Sequence, residues 1–443
     1  MIKGKKKLNY FGKITVVFLV AVVCFSGWVG YTSFHYDLPL VEVVKNSARY
    51  VTLTAVSLGV SVYDSSVASS THAELGPKDT EISGKSFPKI EDYLGGERMQ
   101  GVQLIEVHNE QIITGHYDFL YQPDVPRLRE MRKEMELDKV VSGATDELEK
   151  MVRLRQWVRE QFSRSDYQKQ MKQFYALSIW RNPQRNPSKR SAKIGVEYMP
   201  CHFFPLFYSQ VMLAMGYTPR VVGITYTGYG AHGFVEVWSN QYVKWISMDP
   251  DLNLHYELNG IPQNMLEVHN ARYQSTSNTE VLQGIVEPGF QPEETVANML
   301  EYHKYIKIAD LRNDWLSNEY FLGHPARSDL ATLFWKDERE AETWRISPET
   351  SNADDMYWTL NQAEIHVQPE KSDQNTLGLV FRTVTPNFSH FVIHVTGKVF
   401  KEKSSTYAWQ LQEGKNELTV YPVNSFGVKG ISSRIKLYHT PGK

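Results

Sequence analysis

The chain has only two cysteines in 443 residues, and one of them, Cys24, lies inside an uncharged run near the amino terminus. The remainder therefore carries a single thiol, Cys201. It must fold without an internal disulfide framework and without a zinc site built from several cysteines. At this length two or three hydrophobic cores are expected instead. A solitary thiol in such a body is a small buried hydrophobe unless its neighbours make it reactive.

The uncharged run, residues 14–31, holds 18 residues, near the lower limit for a helix crossing the hydrocarbon of a bilayer. Lys3, Lys5, Lys6, Lys7 and Lys13 precede it, and Trp28 and Tyr31 fall where an interfacial aromatic belt belongs. The positive-inside rule then predicts a single-pass membrane protein, with a cytoplasmic amino terminus and a periplasmic or extracellular body. Its length, and the poor cleavage match at Phe25-Ser26-Gly27, favour an uncleaved anchor over a signal peptide. Without those five lysines the 48 basic residues fall to 43 against 50 acidic ones, which argues against a nucleic-acid partner.

Texture along the chain divides it into five parts. Residues 1–34 are the basic tail and anchor, and residues 35–90 a membrane-proximal segment and linker. Residues 91–275 form a core with lead-in strands, residues 276–360 a mainly helical extension, and residues 361–443 a β-sandwich. Within the core, residues 102–121 alternate like strands broken at His108-Asn109, a hairpin pattern. Pro126 opens a charged helix to about Leu137. Thr145-Asp146-Glu147 starts another, with apolar residues Leu148, Met151, Leu154, Val158 and Phe162 at helical spacing. Residues 164–200 carry eight Lys or Arg against Asp166 and Glu197 and read as an exposed insert that could steer an acidic substrate. From Ala363 onward, short β-prone runs separated by turn residues suggest an immunoglobulin- or fibronectin-like module, a fold that does not by itself specify a ligand.

Most of the chemical information lies between Cys201 and Asp249. The stripe Phe203, Phe207, Val211, Ala214 ends at Gly216, a helix with a glycine stop. Pro205 is tolerated only in a first turn, so the helix starts near Cys201. A thiol there feels the positive end of the helix dipole, which favours the attacking thiolate, and the adjacent N–H groups could serve an oxyanion. A strand at 219–226 follows, then His232-Gly-Phe-Val-Glu-Val-Trp238, a reversal at Ser239-Asn240-Gln241, and a return strand to Asp249-Pro250. An even-length loop centred between Asn240 and Gln241 makes Trp238 face Val243, Glu236 face Trp245 and His232 face Asp249. Opposed Cβ atoms lie about 4.5–5.5 Å apart, within reach of a carboxylate–imidazole hydrogen bond. Such a carboxylate fixes the tautomer of the ring, whose other nitrogen can take a thiol proton and later return it to a leaving amine.

Cys201 with its helix, Gly216-Tyr-Thr-Pro-Arg220, His232 through Trp238 and Trp245-Ile-Ser-Met-Asp249-Pro250 together resemble the transglutaminase-like family of the papain-like fold superfamily. The resemblance covers about residues 145 to 255, with Met199-Pro200 standing where the family usually has a glycine and a small residue. It implies an α+β core, a helix led by the cysteine packed on an antiparallel sheet that bears the histidine and aspartate, and a Cys201–His232–Asp249 triad. No cofactor or metal is expected: Asp249, Asp251, Asn253, His255 and Glu257 match no EF-hand or zinc spacing. Trp180 and Gln184 are candidate second oxyanion donors. Trp238, Trp245, Tyr226 and Tyr229 are core residues or cleft walls. The expected function is a membrane-anchored thiol enzyme acting on peptide or side-chain amides, as a peptidase, amidase or transamidase. Its partners would be a protein or peptide substrate or a cell-wall polymer. The alternative is a non-catalytic cell-surface scaffold or binding protein of the same fold.

Overall fold

The structure, a computed structural model, describes residues 73–78, 85–95, 99–161, 163–164, 175–181, 198–199, 203–225, 231–273, 282–286, 299–317, 332–340 and 348–441. The apolar run at 14–31, Cys201 and Gln184 lie outside them. Among the described residues no helix is long and apolar enough to cross a membrane. The fold is mixed α+β with several antiparallel sheets.

Helix α1 (Glu147–Gln161) begins where Asp146 accepts the amide of Glu149 at 2.8 Å, a side-chain cap for a donor the helix cannot satisfy itself. Met151, Leu154 and Val158 are fully buried, as the spacing predicts. Helix α2 (Phe203–Ala214) has Pro205 in its first turn and every residue but Leu206 buried. It stops at Gly216, whose φ of 85° suits glycine. The amides of Gly216 and Tyr217 close back on the carbonyls of Leu213 and Met212, each at 3.0 Å. A Cβ at Gly216 would also overlap that of Phe426.

After α2 come strands β1 (Pro219–Thr225), β2 (Ala231–Ser239), β3 (Lys244–Met248) and β4 (Leu254–Leu258), helix α3 (Met265–Ala271), and strands β5 (Tyr305–Ile308) and β6 (Leu333–Trp335). A six-stranded sheet runs in the order Glu349–Thr350, β6, β5, β1, β2, β3. Its two faces are both apolar. Val235, Val237, Ile246 and Met248 pack with α1 and α2. Val222, Ile224, Phe234, Trp238, Trp245, Ile306 and Leu333 pack with Phe119, Tyr121 and Trp358 on the other side. Strand β4 pairs instead with Ile261–Pro262 and Leu282–Val286.

Three expectations need correction. Where described, residues 276–360 are not mainly helical: they supply Leu282–Val286, β5, β6 and Glu349–Thr350, with helical residues at 299–302 and at Ala353–Met356. These strands are only two to five residues long, too short for period-two alternation to show. Residues 102–121 do not form a hairpin. Val102–His108 pairs with Ser433–His439, at the far end of the sequence. The buried Asn109 ends that strand, its side chain exchanging hydrogen bonds of 2.7 and 2.9 Å with the backbone of Ile365. The basic insert is not wholly exposed. Within it, helix Ala176–Arg181 buries Ala176, Leu177 and Ile179, and its Arg181 pairs with Glu130 at 2.7 Å.

The carboxyl-terminal strands form two facing sheets. One holds Glu364–Val367, Thr376–Arg382 and Thr406–Gln410; the other runs in the order Val102–His108, Ser433–His439, Gly414–Asn424, Phe388–Val395, Lys398–Glu402. Leu379, Phe381 and Trp409 from the first meet Phe391, Ile393, Leu418 and Ile435 from the second in one buried core.

Candidate active site

His232 stands at the beginning of β2, paired across to Ile224 of β1. Asp249 directly follows β3. The two side chains meet: His232 Nε2 lies 2.8 Å from Asp249 Oδ2, with the histidine side chain 7% exposed and that of the aspartate not at all.

The contact expected from the sequence is present, but its register is not the expected one. Trp238 opposes Trp245, Glu236 opposes Ser247 and Val235 opposes Met248, a shift of two residues. The loop is four residues long, Asn240 to Val243, with Val243 at a φ of 54°. Helix α1 sets this length. Glu147 accepts the Ser239 hydroxyl at 2.6 Å and the Gln241 amide at 2.9 Å, and Gln241 Oε1 caps the amides of Glu147 and Leu148. A slip of two keeps every side chain on its face. His232 and Asp249 are thus diagonal rather than opposed neighbours, and long side chains still reach across a diagonal.

The turn after Asp249 aims the carboxylate. Oδ1 accepts the amides of Asp251 and Leu252 at 2.9 and 3.0 Å, while the backbone of Asp249 pairs in both directions with Leu254. Three donors thus satisfy a fully buried carboxylate, and only Oδ2 is presented to the ring. With Nε2 engaged there, any proton exchange with a nucleophile runs through Nδ1.

Behind His232, the ring of Phe234 stands edge-on to it at 5.2 Å and edge-on to His303 at 5.3 Å. His303 is fully buried and its Nδ1 donates to the Met299 carbonyl at 2.9 Å. Burial pushes its pKa down to about 3. The ring is therefore neutral in the fold and basic once unfolded, near 6.5. Stability from this residue is complete above that unfolded value and is lost progressively as the pH falls from about 6.5 toward 3. His303→Asn, which keeps a donor for Met299, should flatten the fall in urea midpoint between neutral pH and pH 4. Parallel curves for the two proteins would contradict a neutral His303.

Cys201 lies outside the described residues, in sequence between Tyr198–Met199 and α2. Tyr198–Met199 pairs in parallel with Ser163–Arg164, which follows α1, so the chain just before the cysteine is tied to the end of that helix. Trp238 and Trp245 are core residues, 3% and 1% exposed and edge-on at 5.9 Å. Tyr226 and Tyr229 lie outside the described residues. Trp180 packs half-buried against the core beside α2. Among the described residues no cluster of three His, Cys, Asp or Glu is placed to hold a metal. Asn253 and His255 instead serve Arg155 of α1, through hydrogen bonds of 2.9 and 2.8 Å. Arg155 is not among the candidates expected from the sequence, although its position between Met151 and Val158 puts a charge on the apolar stripe of a helix, a sign of a buried polar role.

The sequence matches no family model, and no curated protein matches it either.

Proposed function

We propose that the protein is a thiol enzyme of the transglutaminase-like type that acts on amide bonds, with Cys201 as nucleophile, His232 as base and Asp249 as the residue that orients it. The reading rests above all on the buried 2.8 Å contact between His232 Nε2 and Asp249 Oδ2. A histidine so held presents one defined tautomer, with Nδ1 able to accept a proton. Strand ends and the approach to a helix amino terminus are also where such groups gather in thiol enzymes. The papain-like assignment of the core, the outward-facing membrane anchor at 14–31 and the immunoglobulin-like assignment of the carboxyl-terminal sheets belong to the same proposal.

In the reaction, Nδ1 of His232 takes the Cys201 proton as sulfur bonds to the amide carbonyl carbon. Collapse of the tetrahedral adduct breaks the C–N bond, and the imidazolium gives its proton to the departing amine, leaving a thioester. Water or a second amine, deprotonated by the same ring, then attacks the thioester and releases the thiol. With water the products are an acid and an amine; with an amine, a new amide.

Alkylation of the full-length chain with iodoacetamide, resolved by peptide mass spectrometry, tests the first step. A free thiol is only a few per cent thiolate at neutral pH, so a paired Cys201 should react about tenfold faster or more than an unperturbed one. His232→Ala should bring Cys201 back to the ordinary rate. Equal rates for Cys201 and a model peptide, unchanged by His232→Ala, would leave the scaffold reading in its place. A peptide library supplied with a labelled primary amine then separates cleavage, deamidation and crosslinking.

A further inference from the structure

We infer that Arg155 is a positioning residue for the His232–Asp249 pair, acting from helix α1 through the turn that carries Asp249; this rests on the function proposed above. Arg155 is fully buried. Its guanidinium reaches three residues that bracket the turn: Nε donates to Asn253 Oδ1 at 2.9 Å, and Nη1 lies 2.8 Å from His255 Nδ1 and 3.4 Å from Met248 Sδ. Met248 is the residue before Asp249, and Asn253 and His255 flank Leu254, the backbone partner of Asp249.

The chemistry of these contacts fixes orientations. Arginine can only donate, so His255 must accept at Nδ1 and carry its proton on Nε2, which donates to Glu257 Oε1 at 2.9 Å. Burial, with the adjacent guanidinium adding to it, holds His255 below the usual histidine range against the pull of Glu257. Asn253 adopts a φ of 53°, the left-handed conformation that turns the chain back toward β4. Arg155 thus pins both legs of the turn to a helix. The Asp249 carboxylate is aimed by the amides of Asp251 and Leu252 inside that turn, so a shift of the turn moves Oδ2 relative to the imidazole.

Two variants of the full-length chain test the role. Arg155→Lys keeps the charge but cannot span the three acceptors. Asn253→Gly keeps the left-handed backbone and removes one acceptor only, so it remains informative should the first variant fail to fold. Two readouts are needed: the pH profile of Cys201 alkylation, and the low-field proton resonance of the His232–Asp249 hydrogen bond. Misplacement by an ångström can cost about a hundredfold, so Arg155→Lys should slow alkylation at neutral pH by about that factor, with a smaller loss in Asn253→Gly. In both, the acid limb of the profile should move to higher pH and the low-field resonance weaken. Folded variants that keep the wild-type profile and resonance would overturn the assignment. If wild-type Cys201 itself proves unreactive, the thiol-enzyme reading fails. The resonance, which does not involve the thiol, still decides whether Arg155 holds the pair.

Discussion

Asp249→Asn should lower the rate of the Cys201-dependent reaction by about four orders of magnitude while leaving the fold intact, the size of effect seen when an orienting aspartate in a triad becomes an amide. The turn dictates which way the new amide points. Oδ1 of Asp249 accepts the amides of Asp251 and Leu252, so the asparagine oxygen is retained there. Its NH2 group then faces Nε2 of His232, where the carboxylate had accepted a hydrogen bond. A donor in that place forces Nε2 to become the acceptor and moves the ring proton to Nδ1, the atom that has to receive the thiol proton. The volume is unchanged and every buried group keeps a partner, so the denaturation midpoint should move little. Turnover and the alkylation profile measured beside an unfolding curve check this. An Asp249→Asn protein within tenfold of wild type would remove Asp249 from the mechanism.

The largest expected loss of stability belongs to Arg220→Met. Arg220 and Glu236 oppose each other across β1 and β2, both with no exposed side-chain surface, and are joined at 2.6 and 3.0 Å. The guanidinium also bonds the Met356 carbonyl and lies over the rings of Trp245, Trp358 and Tyr357 at 4.1, 4.8 and 5.0 Å. Glu236 spends its second oxygen on the Met265 amide at 2.8 Å and the Tyr357 hydroxyl at 3.2 Å. Removing the cation leaves a dry carboxylate without its counter-charge, which costs about 3–5 kcal/mol. Arg220→Met with Glu236→Gln should lose less than Arg220→Met alone, because no buried charge is then stranded. Urea unfolding followed by tryptophan fluorescence reads both, since Trp245 and Trp358 flank the pair. A single-variant loss below about 1 kcal/mol, in the range of ordinary surface changes, would show that water reaches the site.

What could be read from the sequence followed local rules. Helix α2 was bounded by Pro205 and Gly216, the start of α1 by the run Thr145-Asp146-Glu147, and the reversal at 239–241 by turn residues. The contact of His232 with Asp249 was legible because a strand's period of two tolerates an error of two. The length of the loop was not legible, because Glu147 and Gln241 settle it from elements some ninety residues apart. Distance in sequence hid the rest as well. Alternation at 102–108 announced a strand but could not say that its partner is Ser433–His439. Arg155 meets Asn253 and His255 only through tertiary packing. The short strands at 305–308 and 333–335 hold too few residues to show a period.

The pairing of Val102 with His439 has a consequence for how the chain matures. The five-stranded sheet lacks its Ser433–His439 strand until residues 433–439 have been synthesised, and Val102–His108 waits for it with an unpaired edge. Long-range pairing of this kind slows folding and leaves that edge open to other chains meanwhile. A chain interrupted before residue 433 would therefore be the form that needs a chaperone, and Ser433–His439 acts as the latch that ends this dependence.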